Sequence, residues 1–156
     1  MNESEFGSVL YKIYHSAVKL EAEDLKDNKA CAGLTVNELN LIECIRSLTK
    51  GTNGPTISAI AKELDITRPS TTVAVNKLVS KKMVIKTDST SDGRSVRAKL
   101  SAKGEKAYAA HHSYQIALIK EARKHFSENE FKVISDSLTK LNRFFDDELK
   151  NSDSEK

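Results

Sequence analysis

The strongest constraint on this chain is a change of rhythm between residues 56 and 104. On either side of that segment, apolar residues recur at the three-and-four spacing of amphipathic helices. Inside it the pattern shortens. A brief helical stretch from about Ser58 to Leu64 turns Ile60, Ala61 and Leu64 inward, and Asp65-Ile66 makes a tight turn. Thr67 then suits the N-cap of a helix running through about Lys81, with Pro69 in the first turn, where its missing N–H has no partner to lose. Two strand-like runs follow, Met83–Lys86 and Val96–Leu100, around the polar, turn-rich stretch Asp88–Arg94. Helix, tight turn, helix and β-hairpin are the outline of a winged helix-turn-helix. A sandwich or barrel would need many more turn residues than the six glycines and two prolines present.

The flanks are helical. Phe6, Val9, Leu10, Ile13, Tyr14, Ala17 and Val18 mark an amphipathic helix over residues 4–28. Thr35-x-x-Glu38 is a capping box that opens a helix carrying Leu39, Ile42, Ile45 and Leu48, and Gly51–Pro55 breaks the chain after it. Ser101 caps a long helix from about Ala102 to Phe126. A second capping box, Ser127-x-x-Glu130, opens the last one, whose Phe131, Ile134, Leu138, Leu141 and Phe145 repeat as in a coiled-coil seam. The expected fold is mainly α, a winged helix-turn-helix with long N- and C-terminal helices. The length of 156 residues predicts a single domain. Its expected division is an N-terminal helix over 1–34, a winged helix-turn-helix region over 35–104, C-terminal helices over 105–150 and a flexible tail over 151–156.

Charge sharpens this division. The whole chain carries only +3, but residues 56–104 hold ten Lys/Arg against four Asp/Glu, while 1–55 and 105–156 are slightly acidic. A basic module between near-neutral flanks is the asymmetry expected where one segment meets a polyanion. The opening Met1–Phe6 is acidic and lacks an apolar stretch, which reads against a secretory signal. No apolar run approaches the length of a membrane span, and Cys31 and Cys44 form neither a disulfide framework nor a C-x-x-C pair. A cytoplasmic protein with no membrane partner is expected.

On the helix opened by Thr67, Thr71, Val75 and Leu78 share one face and pack inward. The other face presents Arg68, Pro69, Ser70, Thr72, Val73, Asn76 and Lys77, short, polar or basic and free of acid. Such a face can enter a major groove. Asn76 suits a bidentate pair with adenine, Arg68 one with guanine, Val73 a thymine methyl, and Ser70 and Thr72 suit phosphates. Arg94 at the hairpin tip, with Arg97 and Lys86 on its strands, would reach the neighbouring minor groove or backbone.

Residues 56–104, from Thr-Ile-Ser-Ala-Ile-Ala-Lys-Glu-Leu-Asp-Ile-Thr through Asp92-Gly93-Arg94 to Leu100-Ser101-Ala102-Lys103-Gly104, resemble the winged-helix core of MarR-type transcriptional regulators, whose most recognisable string is a D-x-R wing followed by L-[ST]-x-x-G. The likeness extends from the first helix to the last. It implies a homodimer on a near-palindromic operator in double-stranded DNA, with 35–104 as the DNA-binding region, dimerisation helices over 1–34 and 105–150 meeting through Phe6, Leu10, Phe131, Ile134, Leu138, Leu141 and Phe145, Arg94 reading the minor groove, Asp92 steadying the wing, and no cofactor. One departure stands out. The family usually has glycine where this chain has Lys82, and a left-handed residue there would cost lysine about 1 kcal/mol. Leu34-Thr35-x-x-Glu38, Asp65-Ile66-Thr67, Ala107-Tyr108-x-x-His111-His112 and Leu141-Asn142-x-Phe144-Phe145 are most similar to repressors of fatty-acid synthesis from Gram-positive bacteria. That subgroup implies an acyl chain on acyl carrier protein, or a small hydrophobic effector, as modulator.

Other residues carry sharper readings that weigh less. His111 and His112 invite a metal sensor, but adjacent helical side chains diverge by about 100°, which favours a structural role. Cys31 and Cys44 invite an oxidant sensor. Cys44 beside Ile45 reads as a small core residue, whereas Cys31, in a loop, is expected to be more exposed. Phe6, Tyr11, Tyr14, Tyr108 and Tyr114 read as core and interface before they read as an effector pocket. No nucleophile–histidine–acid set, phosphate loop or metal-ligand spacing points to an enzyme. The competing reading from a different class is a helical interaction module whose basic patch binds an acidic protein such as acyl carrier protein.

Overall fold

The computed structural model describes residues 1–88 and 96–154. Among the described residues six helices and one strand pair follow in order: α1 (Glu3–Asp27), α2 (Val36–Leu48), α3 (Ile57–Glu63), α4 (Arg68–Ser80), β1 (Val84–Asp88), β2 (Val96–Leu100), α5 (Ala102–Arg123) and α6 (Glu128–Ser154), with a 3-10 turn at Lys29–Cys31. This is a winged helix-turn-helix within a mainly helical chain. Contacts divide it into two compact units, Met1–Tyr114 and Gln115–Lys156.

Local chemistry sets the helix boundaries. The α2 capping box forms as the sequence predicts: the Glu38 N–H donates to Thr35 Oγ1 (3.3 Å) and the Thr35 N–H to Glu38 Oε2 (2.8 Å). Asn2 and Glu5 make the same reciprocal pair at the start of α1, with asparagine in place of the serine or threonine of the other boxes. Ser101 Oγ accepts from the Gly104 N–H at 3.0 Å and opens α5. In the second unit, Ser127 and Glu130 cap α6. That helix continues to Ser154, past residue 150, where a tail was expected to begin; Asp147 and Lys150 pair along its last turns at 3.4 Å.

The core of the first unit gathers Leu39, Ile42 and Ile45 from α2, Ile60 from α3, Val75 and Leu78 from α4, Met83, Ala98 from β2 and Ala107 from α5, all essentially inaccessible. Each large aliphatic side chain so buried stabilises the fold by about 1.5–3 kcal/mol. β1 and β2 pair antiparallel, Val84 opposite Leu100 and Asp88 opposite Val96. Pro55 and Thr56 add a short third rung, the Ala98 N–H donating to Pro55 O at 2.9 Å. Two glycines permit this packing. A Cβ on Gly54 would fall 1.9 Å from Ala98 O, and one on Gly104 would fall 2.1 Å from Met83 O. Gly104, the glycine of the L-[ST]-x-x-G string, lets α5 lie directly against the backbone that leads into the hairpin.

Candidate nucleic-acid interface

The helix-turn-helix is held by two matching helix ends. After α3, the Ile66 N–H donates to Ala61 O (3.1 Å) and the Asp65 N–H to Lys62 O (3.4 Å), with Asp65 left-handed at φ 49°. After α4, the Met83 N–H donates to Leu78 O and the Lys82 N–H to Val79 O, both at 2.9 Å, with Lys82 at φ 61°. Both are Schellman terminations, and both place a non-glycine residue at the position glycine usually fills. The strain expected of Lys82 is therefore present. Asp65 repeats it more cheaply, because aspartate tolerates this backbone better than most residues.

Thr67 caps α4 through the Ser70 N–H (3.3 Å) and shares a hydroxyl hydrogen bond with Ser70 (2.8 Å). Thr71, Val75 and Leu78 are fully buried and fix the roll of the helix. Thr71 is satisfied by donating to Thr67 O at 3.0 Å. That roll leaves Arg68, Pro69, Ser70, Val73, Asn76 and Lys77 exposed and Thr72 half-buried, its hydroxyl donating to Arg68 O at 2.9 Å. Val73, at 57% exposure, is an apolar side chain with nothing over it. A groove of about 700 Å³ runs beside this face, between α4 and the start of α2, with Asn37, Leu41, Ile66, Ser70 and Val73 among its walls.

The hairpin residues divide. Lys86, exposed on β1, donates its ammonium to the Asn76 side-chain oxygen, so wing and helix meet on the outward face. Arg97 turns the other way: its guanidinium donates to Gly54 O at 2.9 Å, bracing the third rung. Asp92 and Arg94 lie outside the described residues. Lys81 is also committed inward, to Glu38 (2.7 Å) and Gly33 O (2.6 Å). Burial pushes the Glu38 carboxyl up, but the hydrogen bond and charge of Lys81, with the Thr35 cap, outweigh it and hold the group below its ordinary value.

The sensing candidates lie elsewhere. His111 is buried, 1% exposed, with Nε2 3.7 Å from Glu43 and 3.9 Å from Glu21. His112 points outward and stacks on Tyr108 at 5.5 Å. The two rings thus diverge, and among the described residues no group of three His, Cys, Asp or Glu could hold a metal ion. The exposure expected of Cys31 is corrected. The 3-10 turn carries it into the core at 0% exposure, with Sγ 3.5 Å from Ala107 O. Burial pushes both thiols up, Cys44 to about 11, away from the thiolate a redox sensor needs. Tyr11 and Tyr14 are exposed on α1, and the half-buried Tyr114 donates its hydroxyl to Leu20 O at 3.3 Å. Among the described residues, no helix is long and apolar enough to cross a membrane.

Comparison with known proteins agrees with this architecture. Residues 32–95 match the profile of the MarR family. The fold is similar to that of Streptococcus pneumoniae FabT in complex with DNA, at 24% identity and a TM-score of 0.86, covering 94% of this chain and 99% of that one. It is similar to a MarR family protein from Bacillus stearothermophilus (18%, 0.77, 93% and 98%) and to MepR of S. aureus in complex with DNA (19%, 0.72, 90% and 97%). No curated protein sequence matches. The segment similar to the MarR family, residues 32–95, thus holds α2, the helix-turn-helix and the first strand of the wing, and so includes the exposed face of α4.

Proposed function

We propose that the protein is a dimeric, sequence-specific DNA-binding transcription regulator, and that it acts as a repressor. The observation that carries this reading is the exposed, acid-free face of α4, with Lys86 of the wing beside it. In this reading Arg68 and Asn76 meet base edges, Val73 a thymine methyl, and Lys77, Ser70 and the α4 N-terminus the phosphates, while Arg94 enters the minor groove. Arg97 serves the wing from within, through Gly54. Residues 35–104 form the DNA-binding region, and 1–34 and 105–150 supply the dimer contacts. The two recognition helices then stand about 34–36 Å apart, one turn of DNA. The modulator is a small hydrophobic molecule or an acyl chain on acyl carrier protein. Its support is the resemblance of the Leu34–Glu38, Ala107–His112 and Leu141–Phe145 segments to repressors of fatty-acid synthesis.

Titration of labelled duplex DNA at several salt concentrations tests this directly. Affinity should fall by a factor of about a thousand or more between 50 and 200 mM salt if six or more phosphates are contacted. Arg94→Ala should weaken operator binding at least tenfold while the dimer persists. A salt-independent response, with binding instead to acyl carrier protein, would favour the interaction-module reading.

A further inference from the structure

Asn76 and Lys86 do not face solvent independently. Asn76 lies on the outward face of α4, Lys86 on β1, and the Lys86 ammonium donates to the Asn76 Oδ1. An ammonium has donors only, so the atom it meets must be the amide oxygen, and this fixes which way the amide is turned. The oxygen is held beside a cation, and the Nδ2 group is left as the amide's free edge. Both residues are exposed, where such a pair adds little to stability. What the pair does is preset the pattern of donors that a base would meet.

We propose that Asn76 and Lys86 act as one two-donor unit that selects guanine, in place of the adenine that an isolated asparagine would select. The proposal rests on α4 being the base-reading helix. In the major groove adenine offers N7 as acceptor and its N6 amino group as donor, so an amide pairs with it only by turning Oδ1 to the amino group. Here Lys86 occupies that oxygen, and an adenine amino group would be brought against an ammonium, donor against donor. Guanine offers two acceptors, N7 and O6. The Asn76 Nδ2–H group and a second Lys86 N–H match both. Cytosine presents an amino donor and is rejected for the same reason as adenine; thymine offers a single acceptor and satisfies half of the pair. α4 carries no carboxylate to draw the ammonium away, and because the pair is already formed, little side-chain freedom remains to be lost on binding.

The test is selection from a randomised duplex library by the full-length protein and by its Asn76→Ala and Lys86→Met variants, followed by anisotropy titrations on duplexes differing at the selected position. Circular dichroism checks that each variant is folded. The wild type should enrich guanine at one position per half-site, with a preference over adenine of about tenfold. Asn76→Ala should lose the preference at that position alone. Lys86→Met, which frees the amide oxygen, should bind all duplexes more weakly but reverse the preference towards adenine. The proposal is overturned if the wild type enriches adenine at the Asn76-sensitive position, if guanine persists there in Lys86→Met, or if Asn76→Ala changes no position. A wild-type protein that enriches no sequence at all overturns the base-reading role of α4 and the couplet with it, a result distinct from a normal operator with the wrong base at one place.

Discussion

Among the described residues, Asp65 and Lys82 are the non-glycine positions at which the chain accepts a left-handed backbone for the sake of geometry. Each closes a helix of the helix-turn-helix, and each sits at positive φ, 49° and 61°. For Lys82 the left-handed conformation costs about 1–2 kcal/mol. Glycine would remove that cost and return part of it as lost chain entropy, about 0.5–1 kcal/mol. Lys82→Gly should therefore stabilise the fold by about 0.5 kcal/mol and raise Tm by about 2 °C, measurable by calorimetry. Lys82→Ala keeps the Cβ and the strain, and should leave Tm nearly unchanged. An equal rise in both variants would place the effect in the lysine charge instead. Lys82 was legible in the sequence because glycine is usual there. Asp65 was read only as part of a tight turn, since aspartate is common in turns of either hand.

Between elements, a polar tie joins α4 to α2 beside their buried contacts: the ion pair from the α4 C-cap residue, Lys81, to Glu38 in the first turn of α2, at 2.7 Å. The Glu38 side chain is only 13% exposed and that of Lys81 35%, so the contact is partly screened and contributes about 1 kcal/mol. The carboxyl is held below its ordinary value in the folded state. Its contribution is therefore fully present above the unfolded value near pH 4 and disappears as pH falls through the lower folded one. Glu38→Gln should cost about 1 kcal/mol at pH 7 in urea denaturation, and the gap from wild type should close below about pH 4. A gap that stays constant with pH would mean that cap geometry, not charge, is lost. Elements of this kind were well marked in the sequence: the Thr35 box, the Thr67 cap and Pro69 all describe interactions within four residues. Contacts across the fold were not. The inward turn of Cys31, the bracing of Gly54 by Arg97 and the meeting of Lys86 with Asn76 join residues 10 to 76 positions apart, and no local pattern encodes them.

For the whole molecule, what is left uncovered matters more than what is buried. In the first unit, α1 buries only Leu25 and leaves Phe6, Val9, Tyr11, Ile13 and Tyr14 between 44% and 65% exposed. In the second, the α6 stripe leaves Leu138 at 55% and Phe145 at 47%, with Phe131, Ile134 and Leu141 half-covered. Isolated exposed apolar residues are ordinary, but a stripe at three-and-four spacing over five positions is the seam of a helix that expects a partner. In the proposed function a second copy of the chain supplies that partner and places two α4 faces on one duplex, so dimer stability and DNA affinity should fall together. Leu138→Asp puts a charge in the middle of the seam, where ionisation and burial are incompatible. Sedimentation should then show monomer at micromolar concentration where the wild type is dimeric, Tm should lose its dependence on protein concentration, and operator affinity should drop by at least tenfold. If Leu138→Asp leaves the protein dimeric with unaltered affinity, the α6 seam is not the dimer contact, and the pairing of the two α4 helices must depend on other residues.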